Sequence, residues 1–162
     1  MKKIFSIATC MLIVTIAVNA QDDVKLSSLL NEYYNIKNAL VAGDAIKTGA
    51  GAVQFVKSVN AVDANTLVSQ EQKSFVQLKD KLVTDGNLIA GSKEINKQRE
   101  LFAALSNNMI SLAKAAKLSG KEVYVDYCPM KKVYWLSAEK AVKNPYYGNS
   151  MLTCGSVKET IQ

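Results

Sequence analysis

Apolar residues recur at helical spacing through most of this chain. From Leu26 they return every three or four positions as far as Leu40, which predicts a first helix that ends at Gly43. Asp44 then follows as the N-cap of a second helix, which is predicted from Ala45 to about Val59. The positions expected to face inward on this second helix are Ile46, Val53 and Val56.

The same periodicity predicts two further helices. Helix three ends either at Gly86 or at Gly91, and Ser92 is the expected N-cap of helix four. Their apolar faces comprise Phe75, Leu78 and Leu82 on helix three, and Ile95, Phe102, Leu105, Met109 and Leu112 on helix four. Four amphipathic helices with short connections bury their stripes best in an up-down bundle, so the predicted fold class is mainly α, an up-down four-helix bundle.

After Gly120 the period changes from helical spacing to two. Alternation over residues 123–128 predicts a short strand, and Val133 to Trp135 could return antiparallel to it as a β-hairpin. Ser137 is then expected to cap a short helix that runs through Lys143 and ends before Pro145. Residues 121–162 should therefore form a small C-terminal cap with a hairpin and short helices.

Composition sets this C-terminal stretch apart from the rest. Residues 124–157 hold five of the seven tyrosines, the only tryptophan, both prolines and two of the three cysteines. The hundred residues before them are rich in alanine, lysine and leucine. A shift of this kind indicates either a site or a small stapled cap.

The N-terminus has the pattern of a secretory signal peptide. Lys2 and Lys3 precede an apolar run that ends in small residues at Ala20, so residues 1–20 are expected to be removed before Gln21. The run is shorter than the roughly 20 residues of a membrane-spanning helix. We therefore predict a periplasmic or secreted protein that does not span the membrane, with a single domain at residues 21–162.

Charge and residue types narrow the possible functions. Loss of Lys2 and Lys3 lowers the formal net charge from +6 to +4, and the remaining charges form no block of one sign, so no nucleic-acid binding is expected. The chain contains no histidine, which removes Ser-His-Asp and Cys-His catalysis and every metal site built on imidazole. No cofactor motif is present either, and we predict that the protein is not an enzyme.

Two cysteines remain after removal of the signal segment, and they leave two interpretations open. Cys128 and Cys154 could form a disulfide, as an even pair in an exported protein often does. Alternatively, they could bind a metal together with Met130, two residues from Cys128, and Met151, three residues from Cys154. Two thiolates and two thioethers form a soft ligand set that prefers Cu(I), or Ag(I), over hard cations.

The aromatic residues of the cap offer a second candidate surface. Trp135, Tyr146 and Tyr147 could form a platform for a ligand or a protein partner, although aromatic side chains in such a cap more often pack against the bundle.

Several short motifs resemble a known family. They are Tyr127-Cys128-Pro129-Met130, Tyr134-Trp135-Leu136-Ser137, the run from Asn144 to Gly148, the run from Met151 to Gly155, and Gln98 to Phe102 upstream. In this order they are similar to a bacterial family of exported domains of unknown function, numbered 3347. Members of that family also occur as C-terminal extensions of periplasmic adaptor subunits of copper and silver efflux pumps. The resemblance therefore implies metal handling and a metal efflux component as partner.

The sequence thus predicts a periplasmic protein that binds or buffers a soft metal, with Cu(I) as the expected ion. Cys128 and Cys154 would be the anionic ligands, and Met130 and Met151 the neutral ones. The alternative is a protein-interaction module that a Cys128–Cys154 disulfide stabilises without any metal.

Overall fold

Four α-helices follow one another in the computed structural model, which describes residues 22–162. They are α1 (Asp22–Ala42), α2 (Ala45–Ala61), α3 (Ser69–Gly91) and α4 (Ile95–Ala115), with a 3₁₀ turn at Ala64–Thr66 between α2 and α3. Each helix packs against the next one in the sequence, so the predicted bundle and the mainly α fold class are confirmed. The predicted signal segment, residues 1–20, lies outside the described residues.

The connection between α1 and α2 forms as its sequence predicts. Gly43 has a φ of 74°, a left-handed conformation that glycine adopts without a steric penalty. The carboxylate of Asp44 accepts a hydrogen bond from the Lys47 N–H at 2.9 Å and so caps α2. α3 extends to Gly91, the later of the two ends that the sequence left open, whereas the N-cap of α4 is Glu94 rather than Ser92.

The buried face of α2 differs from the predicted one. Ile46 is 86% exposed and Val53 is 43% exposed, while the interior positions are Thr48, Ala52, Phe55 and Val59. α3 approaches this face closely at Gly86, where an added Cβ would lie 2.6 Å from Val56 Cγ2. Small residues therefore lie at this helix–helix interface. A prediction based only on the apolar positions of α2 assigns the wrong face of the helix to the interior.

A three-stranded antiparallel sheet follows the bundle. Its strands are β1 (Val123–Cys128), β2 (Val133–Ser137) and β3 (Ser156–Ile161), in the order β2-β1-β3. The hairpin of β1 and β2 confirms the prediction, and Asp126 pairs with Trp135 across it. The third strand was not predicted.

The predicted helix from Ser137 to Lys143 does not form. The Ser137 hydroxyl accepts a hydrogen bond from the Glu139 N–H at 3.1 Å and donates one to the Glu139 carbonyl at 2.9 Å. This closed local turn competes with helix formation, and a series of bends follows it. The short helical element of the cap is instead a 3₁₀ turn at Gly148–Ser150.

Polar contacts fasten the cap to the bundle. The Arg99 guanidinium, on α4, donates to the Pro145 carbonyl at 3.1 Å and to the Leu40 carbonyl at 3.2 Å. Gly148 fits against the same place, since an added Cβ would lie 2.6 Å from Arg99. The loop that carries the second cysteine is therefore held at the junction of α1 and α4. No helix within residues 22–162 has the length and apolar character needed to cross a bilayer.

Candidate thiol site in the C-terminal cap

The two cysteines of the cap lie side by side. Cys128 is the last residue of β1, and Cys154 stands two residues before β3, the strand that pairs with β1. Because Tyr127 is the register partner of Ser156, the chain ends that carry the thiols are neighbours. Their Sγ atoms are 3.7 Å apart. This distance agrees with the expectation from the sequence that the two cysteines act as a pair. Both thiols are free.

Gly155 permits this close approach. Its φ is 148°, and an added Cβ would lie 2.9 Å from the Tyr127 carbonyl oxygen and 3.0 Å from the Trp135 ring. A side chain at position 155 would therefore push the Cys154 segment away from β1. The sequence analysis did not reveal this contact.

The turn after β1 surrounds the Cys128 sulfur with donors. The Lys132 N–H donates to the Cys128 carbonyl at 2.8 Å and closes the turn. Burial of the Cys128 thiol raises its pKa, but hydrogen bonds from the N–H groups of Lys131 and Met130 act in the opposite direction. The Asn144 side chain and the Cys154 thiol also donate to this sulfur. These donors together hold the pKa of Cys128 below its ordinary value.

The pKa of the Cys154 thiol shifts in the opposite direction. Cys154 is half-buried, and burial together with the neighbouring Cys128 sulfur raises its pKa above the ordinary value. Of the two thiols, Cys128 is therefore the one that loses its proton more readily.

Asn144 joins the parts of this site and is fully buried. Its Nδ2 donates to the Cys154 carbonyl at 2.6 Å, while its Oδ1 accepts from the Tyr146 N–H at 2.8 Å and the Tyr147 N–H at 3.3 Å. The sequence indicated only turn chemistry at Asn144-Pro145. The pairing of this amide with the thiols depends on contacts that local sequence does not encode.

The two methionines of the predicted site lie at the surface. Met130 is 65% exposed in the turn between β1 and β2, and Met151 is 39% exposed in the turn before Cys154. The Cys154 N–H donates to the Met151 carbonyl at 3.1 Å, so the expected one-turn spacing of these two residues is present. Within residues 22–162, no group of three or more His, Cys, Asp or Glu side chains is arranged to hold a metal ion.

The predicted aromatic platform is mainly an interior feature. Trp135 and Tyr146 are buried and meet edge to face with ring centroids 5.9 Å apart, and only Tyr147 is half-buried. The Tyr146 hydroxyl donates to the Tyr134 carbonyl at 2.9 Å. Trp135 and Tyr146 therefore stabilise the interior of the cap, and the interpretation of them as a partner surface is wrong.

A buried carboxylate two residues before Cys128 was not assigned a role from the sequence. Asp126 is 0% exposed, and neither of its oxygens has a hydrogen-bond partner in the described part of the chain. Burial raises the pKa of Asp126 to about 6, and the buried Lys37 on α1 opposes the shift. Trp135, its partner across the hairpin, likewise has an unpaired Nε1.

Comparison with known proteins gives a family but no activity. The sequence profile of a family described as "Protein of unknown function (DUF3347)" matches residues 29–121, which include most of the bundle and end before β1. The cysteine-bearing cap thus lies outside the matched residues. No curated protein and no solved structure matches the chain. Because the matched residues make up more than half of the sequence, the chain belongs to this family of unknown function, DUF3347.

Proposed function

We propose that this chain binds one Cu(I) ion through Cys128 and Cys154 and acts as a buffer or carrier in the periplasm. The observation that carries this proposal is the 3.7 Å separation of the two Sγ atoms. A thiolate is the form of cysteine that binds metal, so a lowered pKa of Cys128 favours binding near neutral pH.

The separation of the two sulfurs suits a shared ion. Two thiolates about 2.3 Å from one metal, at a tetrahedral angle, would lie about 3.8 Å apart. The Sγ atoms of Cys128 and Cys154 are 3.7 Å apart, so a metal could enter without a large movement of either strand.

The residue types around the pair favour a soft ion. Zn²⁺ in structural sites takes four ligands of the Cys, His or carboxylate type, and such a set is absent within residues 22–162. Cu(I) and Ag(I) accept thiolate and thioether sulfur. The exposed thioethers of Met130 and Met151 are the remaining candidate donors, and their mobility at the surface would help the ion to leave.

A component of a metal efflux system is the proposed recipient of the ion. This part of the proposal is supported by the resemblance of the cap motifs to domains appended to adaptor subunits of copper and silver pumps. It implies a protein that transfers the metal unchanged and performs no catalysis.

A disulfide-stabilised interaction module is the second candidate. The same Sγ separation favours it, since a rotation about the side-chain bonds could shorten the distance to the roughly 2.05 Å of a disulfide. Thiol counting on the protein as isolated from the periplasm separates the two states: two reactive thiols agree with the metal site, and none agrees with the disulfide.

The decisive measurement is an anaerobic competition titration of the reduced protein, residues 21–162, against a chromophoric Cu(I) chelator. We expect one Cu(I) per chain, loss of tight binding in Cys128→Ser, and weaker binding in Met130→Leu or Met151→Leu, which retain the side-chain volume. Met109→Leu is the matched control, because Met109 is buried in the bundle and should not alter the affinity. Failure of the fully reduced parent to compete would refute the metal site.

A further inference from the structure

Three exposed lysines lie on the chain segments that follow the two cysteines. They are Lys131 and Lys132 in the turn after Cys128, and Lys158 on β3. We propose that the protein that exchanges metal with this chain presents an acidic surface to these lysines, which we call the lysine rim. This inference rests on the proposed exchange of Cu(I) at Cys128 and Cys154.

Backbone and ring contacts connect the rim to the segment that ends in Cys128. The Lys132 N–H donates to the Cys128 carbonyl at 2.8 Å and closes the turn that contains Lys131. Lys158 Nζ lies 5.8 Å from the ring centroid of Tyr127, the residue before Cys128. The three lysines therefore lie on the two chain segments that carry Cys128 and Cys154.

Two other lysines, one on α4 and one in the cap, form ion pairs with carboxylates. Lys143 pairs with Glu139 at 2.6 Å, and Lys114 pairs with Glu159. None of the three rim lysines has a carboxylate within ion-pair distance among residues 22–162. The ammonium groups of the rim are thus available to an external anion.

The Lys132 backbone has an unusual conformation. Its φ is 58°, in the left-handed region that glycine or asparagine occupies at lower energy. The geometry of the turn would favour one of those residues, so the turn itself gives no reason for a lysine here.

A small cavity beside the rim gives a partner room to anchor. It has a volume of about 200 Å³ and is lined by Lys131 and Arg99, by the apolar Ala103 and Val133, and by Glu100, which pairs with Lys97. An acidic segment with one apolar side chain would match this combination of charge and shape.

Long-range attraction of this kind acts mainly on the rate of encounter. A patch of one sign raises the on-rate of an oppositely charged partner by about 10- to 1000-fold at low ionic strength, and salt removes the effect. The affinity of the sulfurs for the ion should change far less. A change in the rate of metal transfer without a change in the affinity for Cu(I) therefore indicates that the lysines steer the partner and do not bind the metal.

The test uses two chelators with the same dimethylphenanthroline core and different charge. Bathocuproine disulfonate is anionic, and neocuproine is neutral. Desalted, Cu(I)-loaded protein is mixed with an excess of each, and the rate of metal extraction is followed by absorbance at low and high salt. The variants are the parent, Lys131→Glu/Lys132→Glu/Lys158→Glu, and a matched control, Lys57→Glu/Lys73→Glu/Lys81→Glu, with the same change in net charge on α2 and α3.

We expect the ratio of the two extraction rates, anionic over neutral, to fall about tenfold in the rim variant at low salt and to remain near that of the parent in the control. High salt should bring all three proteins to one ratio. An equal ratio in parent and rim variant, with Cu(I) retained after desalting, would overturn the acidic partner and leave the metal site standing. Equal ratios combined with co-sedimentation of the parent alone with phosphatidylglycerol vesicles would assign the rim to a lipid surface instead. Loss of Cu(I) from the parent on desalting would refute both proposals.

Discussion

The hydroxyl of Tyr33 accepts a hydrogen bond from the backbone N–H of Leu136 at 3.0 Å, and so joins α1 to the outer edge of the sheet. The same hydroxyl lies 2.8 Å from the Ser106 Oγ on α4. Tyr33 is fully buried and stacks on Phe102 with ring centroids 5.1 Å apart. One side chain therefore connects the bundle and the cap, and it covers an edge strand that would otherwise expose unpaired backbone groups.

Tyr33→Phe should destabilise the protein by about 1–3 kcal/mol, because it leaves the Leu136 N–H buried without an acceptor while the ring is retained. Urea unfolding of parent and variant measures the difference. Tyr124→Phe serves as the control, since its hydroxyl bonds only to the exposed Glu122 and should change the stability by less than about 0.5 kcal/mol. Equal losses in both variants would show that the Tyr33 hydroxyl does not join the two parts.

Gly155→Ala should separate the thiols and lower stability. The φ of 148° and the 2.9 Å approach of the added Cβ to the Tyr127 carbonyl both oppose a side chain there. A loss of about 1–3 kcal/mol is expected, with weaker Cu(I) binding. Gly120→Ala is the matched control, because Gly120 has no atom within 4 Å of an added Cβ and its φ is not positive. A variant at position 155 with parental stability and affinity would contradict the close fit.

The elements of the fold that could be predicted from the sequence are those with many regularly spaced apolar residues. α4 showed its buried stripe in the sequence because Phe102, Leu105 and Met109 face one interior. β3 gave no such signal, since only Val157 and Ile161 are half-buried and the rest of the strand is exposed. An edge strand of this kind forms because β1 offers hydrogen bonds, which the sequence of β3 alone does not show.

The candidate thiol site likewise has features that could be predicted from the sequence and features that could not. The proximity of Cys128 and Cys154 could be proposed from residue types, because a soft pair near Pro and Gly is a local signal. The role of Asn144 could not, since its amide reaches a carbonyl ten residues away. Burial of Trp135 and Tyr146 depends on how the cap loop folds over the sheet, which no periodicity in these residues indicates.

Asp126 should give stability a distinctive dependence on pH. Its pKa rises from about 3.9 in the unfolded chain to about 6 in the folded protein, so the folded state binds more protons between these values. Stability contributed by this group is therefore present below about pH 4 and is lost as the pH rises through 6, by roughly 3 kcal/mol. Asp126→Asn removes this step.

The measurement is the difference in unfolding free energy between parent and Asp126→Asn at several pH values from 4 to 7. A difference is needed because Asp44 and Glu139, whose pKa values are lowered by hydrogen bonds from Lys47 and Lys143 respectively, lose stabilisation as the pH falls and would mask the trend. The parent should lose stability relative to the variant as the pH rises. A difference that does not vary with pH would show that Asp126 is ionised normally.

The two thiols should ionise in separate steps, with Cys128 first. The first belongs to the pair with the charge mainly on Cys128, below the ordinary cysteine pKa, and the second lies above it. Titration of the thiolate absorbance in the reduced protein measures both. Asn144→Ala should raise the first pKa by removing a donor to the Cys128 sulfur. Two thiols that titrate together near the ordinary value would contradict the asymmetry.

Oxidation of the pair should stabilise the protein and prevent metal binding at the same time. A Cys128–Cys154 bond would close a loop of about 27 residues, which in the chain-entropy model stabilises the folded state by about 3.5 kcal/mol. Both sulfurs would then lack the negative charge of a thiolate, which is the form of cysteine that binds a metal. Urea unfolding and Cu(I) titration of oxidised and reduced parent test these two effects together, with Cys128→Ser/Cys154→Ser as the control that should show neither. If oxidised protein still bound Cu(I) as tightly as reduced protein, the ion would have to bind elsewhere in the chain, and the proposed site would be refuted even though the protein handles copper.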